Sequence, residues 1–298
     1  MKKLIALLLA LVMVISLTAC ATKKAENDDK KDSTQSQDKN DKGNQKEELL
    51  IDEVTVLDNE LCVIKITGID PDHIMGYTLK GSFENKSEDK TYAFAVDSAT
   101  INGIQCDPYF STEVAPGKKA KDPISFDVGL LEMDEVGDFT DIELNFVVYD
   151  SEDWLGEPVA QATAHVYPYG EDKAASFVRE IKDTDTVLVD NEYVQIVAVG
   201  TLEDEWGYNV VLYMQNKSDK NLTVSTDEVS VNDYMMDPFF GVDVAAGMCS
   251  YETMNWFASE FDDNGITKVE EIAFKLYVSD ADDWGVDDYV DEAIIYCP

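Results

Sequence analysis

Gly76-Tyr77-Thr-Leu-Lys-Gly-Ser-Phe-Glu-Asn85-Lys86-Ser87 decides the fold, because a second version stands downstream as Gly207-Tyr208-Asn-Val-Val-Leu-Tyr-Met-Gln-Asn216-Lys217-Ser218. Other landmarks follow in the same order. Ile101-Asn102 recurs as Val231-Asn232, and Asp107-Pro108-Tyr109-Phe110 as Asp237-Pro238-Phe239-Phe240. Val114-Ala115-Pro116-Gly117 recurs as Val244-Ala245-Ala246-Gly247, and Asp150 through Asp153-Trp154 as Asp280 through Asp283-Trp284. The offset is 130 or 131 positions throughout. A fixed period met this often in one order marks a duplicated unit. The copies span 49–168 and 184–298, each of ordinary domain size, joined by a linker over 169–183.

Each copy reads as β. Cys62, Ile64 and Ile66 alternate with Val63, Lys65 and Thr67, and Val194, Ile196 and Ala198 keep the same parity. Period two marks a strand with one buried face. Tyr92, Phe94 and Val96 alternate again, and Asn85-Lys-Ser-Glu-Asp-Lys90 is a polar turn. Ile142–Tyr149 and Ile272–Val278 read as late strands, and the loop at 150–156 as the tip of a hairpin into Val159–Val166. About seven short strands per copy with turns between them imply a β-sandwich. In the linker, Ala175, Val178 and Ile181 have helical spacing and suggest one short helix.

The N-terminus is another material. Met1-Lys2-Lys3 precedes an apolar run from Leu4 to Leu17, then Leu17-Thr18-Ala19-Cys20. This is the charge, length and small-residue order of a signal peptide, shorter than the roughly 20 residues of a spanning helix. Leu17-Thr18-Ala19-Cys20 resembles the lipobox of bacterial lipoproteins. The resemblance implies cleavage after residue 19 and a diacylglycerol thioether on Cys20, whose two acyl chains would anchor the chain in the bilayer. Residues 21–48 contain no aromatic or large aliphatic residue. Such a segment cannot offset its ordering entropy, so 20–48 is expected to be a disordered tether spanning about 30 Å on average.

Charge is concentrated in the β region. The whole chain carries a net −38, while residues 49–298 hold 53 acidic and 14 basic side chains. That excess excludes nucleic acid, whose binding rests on Lys and Arg neutralising phosphates. It also disfavours direct docking on an anionic bilayer. It fits a cation, a cationic peptide or a basic face of an envelope protein, or solubility alone.

The copy pattern also resembles the immunoglobulin-like domains of unknown function on lipoproteins of Gram-positive bacteria, especially clostridia. The carrying residues are the Asn-Lys-Ser turn, Ile/Val-Asn, Asp-Pro-aromatic-Phe, Val-Ala-x-Gly and the closing Asp-x-x-Asp-Trp. The fold class expected is therefore all-β, with two tandem immunoglobulin-like β-sandwich domains after a lipoprotein signal peptide and a disordered linker. The resemblance implies a cell-surface location and no particular activity.

Chemistry-bearing residues are sparse. Cys62, Cys106, Cys249 and Cys297 occupy unmatched positions in the two copies, so a duplicated bridge is not expected; buried free thiols are the simpler reading, with connectivity left open. The two histidines, His73 and His165, are far apart and unrepeated, and no nucleophile, zinc or phosphate motif occurs. The acidic hairpin nearly spells a calcium loop: Asp280, Asp282, Gly285 and Asp291 fall at positions one, three, six and twelve, with Asp287 nearby. Trp284 at position five and Asp at position twelve depart from that pattern, and in copy one the glycine is shifted to Gly156. Trp154 and Trp284 are candidate ligand contacts. The leading expectation is a non-enzymatic, lipid-anchored protein whose tandem domains serve binding, adhesion or presentation, with no resident cofactor. The alternatives are a calcium-dependent wall module built on the acidic hairpins and an unrecognised extracellular hydrolase.

Overall fold

The computed structural model describes residues 49, 53–283, 285 and 288–298. The signal peptide 1–19, Cys20, the tether 20–48, Trp284 and Asp287 lie outside the described residues.

Copy one runs β1 (Val54–Asp58), β2 (Cys62–Asp70), β3 (Tyr77–Asn85), β4 (Tyr92–Ile101), β5 (Ile104–Cys106) and β6 (Ser111–Val114). It continues through β7 (Lys119–Ala120), β8 (Pro123–Phe126), the short helix α1 (Gly129–Met133), β9 (Ile142–Asp150) and β10 (Ala160–Val166). Copy two runs β11 (Thr186–Asp190), β12 (Val194–Glu203), β13 (Gly207–Asn216), β14 (Leu222–Val231), β15 (Tyr234–Met235) and β16 (Val242–Val244). It ends with β17 (Cys249–Phe257), the helix α2 (Ala258–Asn264), β18 (Ile272–Asp280) and β19 (Val290–Tyr296). The fold is an all-β sandwich, as the alternating pattern requires.

Pairing is antiparallel within each copy. One sheet has the order β1-β2-β3 with β7 and β8 on β3, and its counterpart has the order β11-β12-β13-β17. The other sheet has β10-β9-β4 with β5 and β6 on β4, and its counterpart β19-β18-β14 with β15 and β16 on β14. The predicted hairpin forms, with Ala160 opposite Val148 and Val166 opposite Ile142.

The two copies share a sheet. β5 of copy one pairs in parallel with β17 of copy two, Ile104 opposite Cys249 and Gln105 opposite Ser250. This joins β10-β9-β4-β5 to β17-β13-β12-β11 in one continuous sheet. The Gln105 side chain extends the seam: its amide donates to the Asp243 carbonyl (2.9 Å), and its oxygen accepts from the Ala245 N–H (3.1 Å). One face of β12, β13 and β17 packs in copy two's own core through Ile196, Leu212 and Trp256. The other face packs into copy one's core through Val197, Val211, Tyr213 and Tyr251.

The linker departs from the expected helix. Only a 3-10 turn, Glu171–Lys173, forms there, and residues 174–182 take no regular secondary structure. The backbone donors go elsewhere: Phe177 N–H to the Asn102 carbonyl (2.8 Å) and Ala175 N–H to the Thr140 hydroxyl (3.2 Å). With donors committed to copy one, an i→i−4 ladder cannot form. Val178 and Ile181 consequently face solvent, while Phe177 and Arg179 turn inward.

Arg179 locks the seam. It is the single arginine of the chain, and its side chain is only 2% exposed. Its guanidinium donates through Nε to Asp134 (2.5 Å) and through both terminal nitrogens to Asp185 (2.7 and 2.9 Å). The Tyr251 hydroxyl and the Lys182 ammonium both donate to Asp134 at 2.5 Å, and the Tyr213 ring lies 5.6 Å from the guanidinium carbon. Burial alone would push Asp134 up, but Arg179, Lys182 and Tyr251 hold its carboxyl below the usual range. Asp185 behaves likewise: burial opposes its ionisation, and Arg179 prevails. A planar fork can satisfy two carboxylates at once, which is why arginine rather than lysine stands here.

Candidate functional site: paired aromatic grooves

A duplicated fold allows a subtraction. A motif kept in both copies serves either the fold or something else, and the hydrogen bonds separate the two.

The Gly-Tyr pair serves the fold. A Cβ on Gly76 would sit 2.1 Å from the Phe126 carbonyl oxygen, and one on Gly207 would sit 2.0 Å from that of Trp256. Only glycine permits that approach of β3 to β8, and of β13 to β17. The Asn-Lys-Ser turn serves the fold as well. The buried Asn85 amide donates to the carbonyls of Lys90 and Val114 (2.7 Å each), and its oxygen accepts from Ser87 N–H (2.8 Å). Asn216 repeats this on Lys220 (2.7 Å), Val244 (2.9 Å) and Ser218 N–H (2.9 Å). Asn102 and Asn232 both adopt left-handed backbone, at φ 53° and 48°. Each side chain ties down a loop, through Asp138 and Thr140 in copy one and Lys268 and Glu270 in copy two. A buried polar side chain that satisfies several backbone groups is a structural pin.

The acidic hairpins belong to the same class. Asp150 accepts from Glu152 N–H (3.1 Å) and pairs with Lys90 (2.6 Å). Asp280 accepts from the N–H groups of Asp282 (2.9 Å) and Asp283 (3.1 Å), with Lys220 at 3.7 Å. Of the calcium-ligand candidates that are described, Asp280 and Asp282 share the loop and Asp291 stands on β19. Asp282 accepts from Asn221 (3.1 Å), and Asp291 faces Lys275 (3.6 Å). Among the described residues no group of three or more His, Cys, Asp or Glu could hold a metal. Of the tryptophan candidates, Trp154 is 46% exposed and leans on Tyr149 with ring centroids 5.9 Å apart.

The remaining polar candidates stand apart. His165 Nδ1 lies 2.8 Å from Asp141, and its ring stacks on Tyr167. His73 accepts from Met75 N–H within the β2–β3 turn. The four cysteines are free thiols: Cys62 and Cys249 are buried, Cys106 half-buried and Cys297 exposed. Burial pushes the Cys62 thiol up to about 11 and the Cys106 thiol up to about 12, which makes them poor nucleophiles.

Asp-Pro-aromatic-Phe leaves a remainder. Phe110 turns inward and stacks on Phe83, and Phe240 packs on copy two's core. The preceding aromatic points outward in both copies, Tyr109 at 62% and Phe239 at 81% exposure. Its direction is fixed by register. Tyr109 N–H donates to the Ser125 carbonyl and Phe239 N–H to the Asn255 carbonyl, both at 2.7 Å. Each residue also forms an antiparallel bridge with that partner. Period two then sends one aromatic out if the next goes in. Among the described residues no aromatic ring stacks on either.

Each outward aromatic borders a concavity, about 580 Å³ beside Tyr109 and about 330 Å³ beside Phe239. The first holds Asp122 and the second Glu252, which occupy equivalent positions 130 residues apart. Asp122 accepts from the Thr112 hydroxyl, and Glu252 from the Ser250 hydroxyl at 2.9 Å. Burial raises the Glu252 carboxyl above its usual range, and the nearby Asp107 of copy one raises it further. No protein-family model matches the chain, and no curated protein matches it. The grooves therefore stand on their own geometry. Sequence reasoning quoted the motif as a repeat landmark but passed over it as a site. The available signal was an apolar residue kept at a position that the next residue's inward turn forces outward.

A further concavity of about 440 Å³ lies between the β12–β13 turn and α2, lined by Tyr208, Phe261 and Lys268 among others. It belongs to copy two.

Proposed function

We propose that this chain is a lipid-anchored extracytoplasmic protein whose two acidic, immunoglobulin-like sandwiches bind and present a partner at the cell envelope, with no catalytic step. The observation that carries the binding role is the outward aromatic beside an acidic groove, kept in both copies. The anchoring role rests on Leu17-Thr18-Ala19-Cys20 behind its apolar run. A tether of 20–48 would hold a strongly acidic body near an anionic membrane that otherwise repels it. The shared sheet and the Arg179 lock support presentation of both grooves on one body.

The anchoring role is tested by Cys20→Ser in cells, followed by fractionation. The altered chain is expected in the soluble extracytoplasmic fraction. Retention in the membrane with normal signal processing would contradict the tether.

A further inference from the structure

We infer that the two aromatic grooves are a matched pair of sites for cationic side chains of a lysine-rich polypeptide, one beside Tyr109 and Asp122 and one beside Phe239 and Glu252. This rests on the binding role proposed above and names its partner chemistry.

Three observations converge. The first is the outward aromatic, whose backbone is clamped so that the ring cannot fold inward without breaking two hydrogen bonds. An aromatic face attracts an ammonium or guanidinium by its quadrupole. The second is the carboxylate in each groove, placed at the same position in both copies although its neighbours differ. Asp122 has a threonine donor and Glu252 a serine donor; neither has a lysine or arginine within ion-pair distance among the described residues. The third is the net charge of the body that bears them, which outweighs the lysines Lys80 and Lys121 near Asp122. Residues 49–298 carry 53 acidic against 14 basic groups, and Asp107 adds its charge beside Glu252. A half-buried carboxylate next to a second carboxylate is electrostatically uncompensated, and an incoming cation relieves it. An aromatic and a carboxylate together select a cation with an alkyl stem, which a lysine side chain supplies.

The seam makes the pair more than two separate sites. Groove two lies on β13 and β17 of the shared sheet, and groove one reaches the same sheet through β6, which pairs with β4. A single basic segment engaging both gains from an effective concentration that independent domains on a loose linker would dilute.

The test is titration of the full chain, purified in detergent, with a decalysine peptide at constant ionic strength, followed by calorimetry. Diffuse attraction to the acidic surface contributes to any such binding, so the deciding variant leaves charge untouched. Tyr109→Ala with Phe239→Ala is expected to weaken decalysine binding about tenfold, the loss of two cation–π contacts. Asp122→Asn with Glu252→Gln is expected to weaken it by at least as much. Leu155→Ala, a fully exposed residue that lines neither groove, is expected to change nothing. Unchanged affinity in the double aromatic variant overturns the proposal, because attraction is then diffuse charge alone. Binding of a neutral oligosaccharide in place of decalysine, lost in the same variant, also overturns it in favour of a glycan site. Either result leaves the Cys20 fractionation result intact, so the anchoring role and the partner chemistry fail separately.

Discussion

Strands β3 and β13 hold the same place in two copies of one fold, yet they carry opposite sequences. β3 reads Tyr-Thr-Leu-Lys-Gly-Ser-Phe-Glu-Asn; Leu79 and Phe83 are buried, Lys80 is exposed and Ser82 half-buried. β13 reads Val-Val-Leu-Tyr-Met over 210–214, and all five are buried. One face of β3 meets core and the other meets water. β13 has a core on each side, because copy one packs against its second face. An antiparallel strand covered on both faces loses its alternation. The difference between two copies of one sequence thus locates their interface.

The largest expected effect comes from exchanging the residues at this position. Val211 and Lys80 stand 131 positions apart and are equivalent. Val211→Lys places an unpaired ammonium between two cores, and its stability loss measured in urea should exceed about 4 kcal/mol. The mirror change Lys80→Val removes an exposed side chain and should stay within about 0.5 kcal/mol. Equal effects would mean that β13's second face is not buried by copy one.

Arg179→Ala comes next. It leaves Asp134 and Asp185 buried without their cation, a loss of about 3–5 kcal/mol by denaturant melting. The pH profile tells this apart from lost packing. Both carboxyls sit below their usual values when folded. Their stabilisation is therefore present above the unfolded carboxylate pKa of about 4 and lost as pH falls through the folded values. Without Arg179, burial raises both carboxyls, so the stability loss should be largest near neutral pH and shrink as pH falls and the carboxyls take up protons. A loss of the same size at every pH would remove Arg179 from the electrostatic account of the seam.

The comparison also explains what could be read in advance. The period of 130 or 131 and the alternation of Ile64 and Ile66 are local signals, and they sufficed for an all-β sandwich. The shared sheet rests on two residue pairs, Ile104–Cys249 and Gln105–Ser250, brought together from far apart in the chain. Nothing in a pairing of two residues on each side marks its partner. Two signals were nevertheless present. The unbroken apolar run of β13 announced a second covered face. A single arginine among 14 basic residues of 49–298 announced a site where lysine would not serve. In the linker Ala175, Val178 and Ile181 match a helical period, but backbone bonds to Asn102 and Thr140 draw its donors away from a helix. The acidic hairpin reads as a candidate site because its carboxylates are dense in sequence. In space Asp280 and Asp291 each serve a separate structural partner.

The subtraction that singled out Tyr109 and Phe239 yields the most direct measurement, and it needs no ligand. Two double variants are melted side by side. Asn85→Ala with Asn216→Ala removes buried pins that each satisfy several backbone groups, at about 1–3 kcal/mol per copy. Tyr109→Ala with Phe239→Ala removes rings that the fold does not use, and each should stay within about 0.5 kcal/mol. The account predicts a clear drop in melting temperature for the asparagine pair and an unchanged value for the aromatic pair. A comparable drop for the aromatic pair would contradict it, because those rings would then be holding the sandwiches together rather than waiting for a partner.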